Sequence, residues 1–203
     1  MTAHVASASD IEAFLLLTGA QDLPHSGRTL LGHLQGTHRL LGAWGNPPDV
    51  ALAGMFHSVY GTNAFRHVTV ALPQRGAVRE LIGEAAEALA YIFCSIDRPQ
   101  AITSTAARAD GRVAASFEIP HRRLDLSLPV SRTQLRQLAE IEAANLIEQG
   151  STGRPLLELY FLAYERDAWL SPGAHAALRG YLRAAAMPIG RARNTVNETG
   201  AQA

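Results

Sequence analysis

The histidine that ends a strongly apolar segment is the feature that most constrains how this chain folds. Residues 50–57 read Val-Ala-Leu-Ala-Gly-Met-Phe-His and contain no charged side chain. Such a segment belongs in the interior, where the imidazole of His57 needs a partner because an unpaired buried polar group costs free energy. His33 lies in the preceding amphipathic segment, residues 29–44, and a Gly-Asn-Pro-Pro turn follows at 45–48. The pattern predicts two antiparallel helices that bring the two histidines to a similar level.

The composition is that of an ordinary globular protein. The 203 residues are 47% hydrophobic and 18% charged, which allows a sizeable core. Eighteen basic and eighteen acidic side chains cancel, so no overall field attracts nucleic acid or an anionic membrane. A single cysteine excludes an intramolecular disulfide and fits a reducing compartment. We therefore expect a cytoplasmic protein with a small-molecule substrate and no nucleic-acid or membrane partner. The oligomeric state is left open.

Apolar periodicity predicts a mostly α fold with one small β-hairpin insertion. A single domain is expected over residues 1–187. Residues 68–72 are expected to be extended, 101–111 to form a flexible connection, 112–128 to form the hairpin and 188–203 to be a disordered tail. Helices are predicted over residues 9–18, 29–44, 50–60, 75–81, 84–97, 131–149, 155–166 and 171–186.

Asp97, at the end of another apolar run, is the candidate third member of the histidine pair. Two histidines and one carboxylate on converging helices can hold a divalent metal. We expect the ligand atoms of His33, His57 and Asp97 to converge within about 2.0–2.3 Å of one point. The alternative is that the histidines are core residues bonded to backbone carbonyls, with Asp97 capping a helix or pairing with a neighbour.

These residues resemble the HD-domain superfamily, most closely its inositol-oxygenase and ppGpp-hydrolase branches. In the former, a histidine followed four residues later by threonine, as in His33 and Thr37, precedes a Leu-x-Gly-Leu-x-His-Asp stretch. Here residues 52–58 read Leu-Ala-Gly-Met-Phe-His-Ser, and residues 81–97 are similar to the corresponding hydrolase helix. Residues 56–62 also resemble a Phe-His-Ser-(Val/Ile)-Tyr-Gly-Thr signature of bacterial and fungal proteins without an assigned activity. The resemblance spans roughly residues 25–100.

The resemblance implies an HD-like helical domain with His33, His57 and Asp97 as metal ligands. The chain departs from the pattern at Ser58, which replaces the aspartate after the second histidine. The acidic pair of the ppGpp hydrolases is also missing, since residues 60–62 are Tyr-Gly-Thr. Without these carboxylates the usual means of binding two metals and activating water is lost. The remaining ligand set suits one non-haem Fe(II) ion, with Mn or Zn as less favoured alternatives.

The sequence therefore predicts a metal-dependent enzyme acting on a small polar molecule, most specifically a mononuclear non-haem iron oxygenase. A divergent metal-dependent phosphohydrolase or lyase and a non-catalytic HD-like binding module are the alternatives. The loop after the second histidine is expected to contact substrate, although a solvated surface loop has the same composition. The catalytic candidates are Tyr60, His38 and Arg98, and the substrate-binding candidates are Ser58, Thr62, Asn63, Arg66 and His67.

The predicted helix over residues 131–149 carries several acidic side chains. Glu142 and Asn145 are three residues apart among apolar neighbours, so one of them can point inward. A solvated face is the interpretation we favour from the sequence.

Overall fold

Most of the residues that the structure describes lie in α-helices, as the 3.6-residue apolar periodicity predicts. The structure is a computed structural model, and it describes residues 6–109, 114, 116–160 and 169–186. The described helices are α1 (Ala8–Leu17), α2 (Leu30–Ala43), α3 (Pro48–Met55), α4 (Arg75–Ile82), α5 (Glu84–Ser95), α6 (Gln100–Ala109), α7 (Arg132–Glu148), α8 (Arg154–Tyr160) and α9 (Pro172–Ala186). Two short antiparallel hairpins pair β1 (Pro24–His25) with β2 (Arg28–Thr29) and β3 (Phe117–Pro120) with β4 (Ser127–Val130). The prediction of a mostly α fold with a small hairpin is confirmed.

Polar caps fix where several helices begin. α1 starts after Ser7, whose hydroxyl accepts from the Asp10 backbone while the Asp10 carboxylate accepts from the Ser7 backbone. This capping box starts the helix at Ala8, one residue before the predicted start. Thr29 caps α2, and Ser131 with Gln134 forms the capping box of α7, at the predicted start of that helix.

α7 is the central helix of the fold. It contacts α2, α3, α5, α6, α8 and α9, and each residue from 138 to 146 is buried. A helix buried on all sides has no solvated face. The expectation of a solvated face is therefore wrong for Glu142 and Asn145, which are 0% and 1% exposed.

α3 is shorter than predicted, and His57 lies just beyond its end. The helix ends at Met55, and residues 56–60 form turns. The Val59 carbonyl accepts from the backbone N–H groups of both Thr69 and Val70 at 3.0 Å. The chain bends at residues 69 and 70, and a 3₁₀-helix begins at Leu72, so the extended piece expected over residues 68–72 is not formed.

α6 occupies most of the segment expected to be a flexible connection, so that expectation is wrong. Ile102, Ala106 and Ala109 follow one another at helical spacing and are each at most 2% exposed. The small side chains of Ala106 and Ala109 let α6 lie close against β3 and α7. Packing on these elements stabilises a helix whose own apolar pattern is weak.

The larger hairpin falls where alternation predicts it, with Ile119 paired to Leu128 across the strands. Predicted strand residues 113 and 115, the end of the helix expected to reach residue 166 and the expected tail at 188–203 lie outside the described residues. In the part of the chain that the structure describes, no helix is both long and apolar enough to cross a membrane.

Gly54 allows α2 and α3 to approach each other closely. A methyl group on Gly54 would overlap the side chain of Leu41, whereas one on Gly42 of α2 would have nothing within 4 Å. We expect Gly54→Ala to lower the free energy of unfolding by about 1–3 kcal/mol through overpacking. The matched control Gly42→Ala should be neutral or stabilising. Urea unfolding of both variants measures the difference, and equal stabilities would contradict the close approach.

Candidate functional site

His33 and His57 meet in the core. Their Nε2 atoms are 3.2 Å apart, and the residues are 0% and 1% exposed. α2 supplies His33, and the turn after α3 supplies His57. The short connection between these helices places the two imidazoles side by side.

The backbone of Gly54 sets the tautomer of His57. Nδ1 of His57 lies 2.6 Å from the Gly54 carbonyl oxygen, to which it can only donate. In the neutral ring Nε2 then carries a lone pair directed at His33. The Cys94 thiol donates to the His57 carbonyl at 3.0 Å, and burial raises the pKa of this thiol to about 12, so the thiol stays protonated.

Asn145 of α7 completes the cluster. Its Oδ1 lies 3.1 Å from Nε2 of His33 and accepts from Nε2 of Gln149 at 3.0 Å. Its Nδ2 donates to the Glu142 carboxylate at 3.3 Å, and an ionised carboxylate only accepts, so the oxygen of the amide must face the histidines. Sequence reasoning missed this role. The available signal was the i, i+3 spacing of Glu142 and Asn145 among apolar residues.

A buried ion pair holds Glu142 in place. Nη1 of Arg98 lies 3.0 and 2.8 Å from the two carboxylate oxygens, and the side chains of Arg98 and Glu142 are 4% and 0% exposed. Nη2 of Arg98 donates to the Thr62 hydroxyl at 3.0 Å, and its guanidinium lies over the Phe93 ring. Burial raises the pKa of Glu142, and the charge of Arg98 opposes that shift. Arg98, a predicted catalytic residue, is thus occupied with Glu142 and Thr62.

His25 lies against the histidine pair. Its ring centroid is 4.3 Å from that of His33 and 4.9 Å from that of Phe65, which it meets edge-on. The β1–β2 turn that presents it has positive φ angles at Ser26 and Gly27, as a tight two-residue hairpin requires. Sequence reasoning missed His25, and the Ser-Gly turn signal beside it could have indicated a hairpin.

Burial keeps both core imidazoles neutral. It lowers the pKa of His33 to about 2, and the nearby His57 and His25 add to the shift while Asn145 opposes it. Burial also lowers the pKa of His57 to about 3, against the opposing hydrogen bond to Gly54. Among the described residues, Nδ1 of His33 and Nε2 of His25 are buried without a hydrogen-bond partner.

Asp97, the predicted carboxylate ligand, is not brought to the histidines. It is exposed and lines a cleft with Asn63, Arg66, Arg122 and Arg123. Between α5 and α6 the backbone bends at Ile96 and turns at residues 98–99, and here Asp97 is exposed whereas Arg98 is buried. Within the described residues, no three His, Cys, Asp or Glu side chains are grouped to hold a metal ion. The third polar atom beside His33 and His57 is instead the amide oxygen of Asn145.

Two other predicted catalytic residues lie in separate environments. The Tyr60 hydroxyl donates to Glu87 at 3.0 Å, and Glu87 is also paired with Arg75. Burial, followed by the charge of Glu87, raises the pKa of Tyr60. His38 is half-buried and lines a cavity between α1, α2 and α3, where burial and then Arg39 lower its pKa.

The predicted substrate-binding residues divide between core and surface. Ser58 and Thr62 are buried, and Thr62 accepts from Arg98. Asn63 is half-buried and donates to the Arg98 carbonyl at 2.9 Å. Arg66 and His67 are exposed. Of the five, only Asn63, Arg66 and His67 lie where a molecule in solution could reach them.

The model of one protein family, described as a domain of unknown function (DUF6817), matches residues 14–98. Comparison with curated proteins and with solved structures gives no match. The matched region contains His25, His33, His57 and Arg98, whereas Glu142 and Asn145 of α7 lie outside it.

Removing one partner of the buried ion pair should destabilise the protein strongly. Glu142→Gln leaves the Arg98 charge buried and unpaired, so we expect the free energy of unfolding to fall by about 3–5 kcal/mol. Glu158→Gln is the control, because its pair with Arg154 is partly exposed and should contribute less than about 1 kcal/mol. Urea unfolding at neutral pH measures both. Equal effects would mean that the Arg98–Glu142 pair is not buried in solution.

Acidification should destabilise the fold through the two core histidines. Their pKa values in the folded state, about 2 and about 3, lie below the usual value of 6.5, so the unfolded chain binds more protons between these limits. The contribution of the two neutral histidines to the free energy of unfolding is fully present above pH 6.5 and is lost as the pH falls. By linkage the loss at pH 5 is at most about 2 kcal/mol per histidine. Urea unfolding measures the free energy of unfolding at pH 7 and at pH 5. The decrease between the two pH values should be smaller for His33→Gln/His57→Gln than for the wild type. An equal decrease would contradict the presence of two neutral histidines in the folded protein.

Proposed function

We propose that His33, His57 and Asn145 bind one divalent transition-metal ion and that the protein is a metal-dependent enzyme acting on a small polar molecule. The observation that carries the proposal is the convergence of three donor atoms. Nε2 of His33 lies 3.2 Å from Nε2 of His57 and 3.1 Å from Oδ1 of Asn145. Two ligands, each about 2.1 Å from one metal and about 95–100° apart, are separated by this distance.

The two imidazoles have the hydrogen bonding and protonation state that metal ligation requires. His57 donates through Nδ1 to a backbone carbonyl, which is the common arrangement for a histidine that ligates through Nε2. The low pKa values keep both rings neutral and able to ligate at physiological pH. Imidazole nitrogens favour Fe, Zn, Cu or Ni over Mg and Ca, and Fe(II) is our first candidate, before Mn or Zn.

The surrounding side chains would orient the ligands and exclude water. Glu142, fixed by Arg98, turns the oxygen of Asn145 toward the histidines. His25 lies between the pair and the loop at residues 61–67, where it contacts Phe65. A metal held there supplies Lewis acidity and, as Fe(II), redox chemistry with O₂.

Oxygen chemistry is favoured over hydrolysis because a carboxylate free to act as a general base is missing from the described cluster. Glu142 is neutralised by Arg98, and residue 58 is serine. A non-catalytic binding module is the second candidate. The near-complete burial of His33 and His57 favours it, since a substrate needs a path to the metal.

Metal content measured on protein purified without chelator tests the site. We expect about one metal ion per chain, and a lower melting temperature after chelation because a metal that binds only the folded state stabilises it. His57→Ala and Asn145→Leu should lose both the metal and the response to chelator. His38→Ala, which alters a histidine in a separate cavity, should lose neither.

The same preparations separate the candidate functions. O₂ consumption by the Fe(II)-loaded protein with polar substrates supports the oxygenase, whereas anaerobic cleavage of phosphate esters with Mn²⁺ supports the hydrolase. Absence of metal from wild-type protein, together with an unchanged melting curve in chelator, would contradict the metal site and leave the non-catalytic module.

A further inference from the structure

A cationic cleft lies apart from the histidine cluster. It has a volume of about 350 Å³ and is formed by the loop at residues 61–67, the end of α5 and the β3–β4 connection. A neighbouring cleft of about 340 Å³ shares Asp97 and Arg122 with it and adds Arg108. The two clefts together are lined by Arg66, Arg108, Arg122 and Arg123, with Asp97 as the one carboxylate among their lining residues.

The positive charge of the cleft is largely unbalanced. Arg66, Arg122 and Arg123 form no ion pair within 4 Å in the part of the chain that the structure describes. The chain as a whole is neutral, so this is a local concentration of charge. A concave surface lined by charges of one sign raises the local concentration of small ions of the opposite sign.

Arg122 is held in place by neutral partners. Its Nε donates to the Cys94 carbonyl at 2.8 Å, and its Nη2 donates to the Gly61 carbonyl at 3.1 Å. Carbonyl oxygens fix the guanidinium without neutralising it. Burial and then the charge of Arg123 lower the pKa of Arg122, whereas Cys94 and Asp97 oppose the shift.

The N-terminus of α6 adds to this field. Gln100 and Ala101, in its first turn, line the second cleft. The N-terminal end of a helix carries partial positive charge and favours anions. The arginine side chains and the helix end therefore act in the same direction.

We propose that this cleft binds a small, multiply charged oxyanion, either of phosphate type or a polycarboxylate, through Arg66, Arg122 and Arg123. Arginine suits both because its guanidinium donates two parallel hydrogen bonds to such groups. The volume fits a small molecule, and the neutral chain offers no extended basic track for a nucleic acid. Asp97 weakens the site by repulsion and restricts the charge it accepts. This site requires no metal and does not rest on the proposed function.

Titration calorimetry on the full chain, in the uncharged chelator 1,10-phenanthroline, tests the proposal with inorganic pyrophosphate and citrate as probes. We expect saturable binding of at least one probe at one site per chain, weakening as salt is raised. Arg66→Gln/Arg123→Gln removes two exposed charges and should weaken binding at least tenfold. Asp97→Asn should strengthen it, because the repelling carboxylate is lost. Arg39→Gln, an exposed arginine lining a different cavity, is the control and should change nothing.

The probes also identify the ligand type. Tighter binding of pyrophosphate supports a phosphate group, and tighter binding of citrate supports a polycarboxylate. The proposal would be overturned if neither probe shows saturable binding. It would also be overturned if the Arg39→Gln control loses as much affinity as Arg66→Gln/Arg123→Gln. Tighter binding of a short single-stranded DNA than of both probes would overturn it in favour of a nucleic-acid surface. Because an uncharged chelator is present throughout, these results are independent of the metal test.

Discussion

The ion pair between Arg98 and Glu142 is the interaction on which the arrangement of the core depends. Both charges are almost completely buried, so each needs the other to offset its loss of water. Glu142 in turn orients the amide of Asn145, and Arg98 holds the hydroxyl of Thr62. One contact thus ties the segment after α5, the loop beyond His57 and the central helix α7 into a single polar network.

The protein separates two kinds of polar chemistry. In the core, burial removes the charge from His33 and His57 and leaves neutral nitrogens beside an amide oxygen. In the outer cleft, arginines keep their charge near solvent, with Asp97 as the carboxylate that lines it. We propose a transition metal for the first environment and an anion for the second. The buried Arg98 contributes to the first, and its exposed neighbour Asp97 lines the second.

The resemblance of residues 25–100 to the HD-domain superfamily stays a prediction. The family match at residues 14–98 covers nearly the same region but carries no function with it. The cluster described here takes its third donor from α7, outside that region, and its carboxylate is paired with Arg98. The metal experiment therefore tests whether the histidines serve the same purpose as in those enzymes.

The sequence by itself determined the described helices other than α6, and it determined the meeting of His33 with His57, because apolar periodicity and a tight turn act over short stretches of chain. It also determined the β3–β4 hairpin through alternation. It did not determine that Asn145, 112 residues from His33, completes the cluster. Nor did it place Glu142 inside and Asp97 outside. A charged side chain can be buried only where a partner from another element reaches it, and the packing of α7 against α2, α3 and α5 decides that.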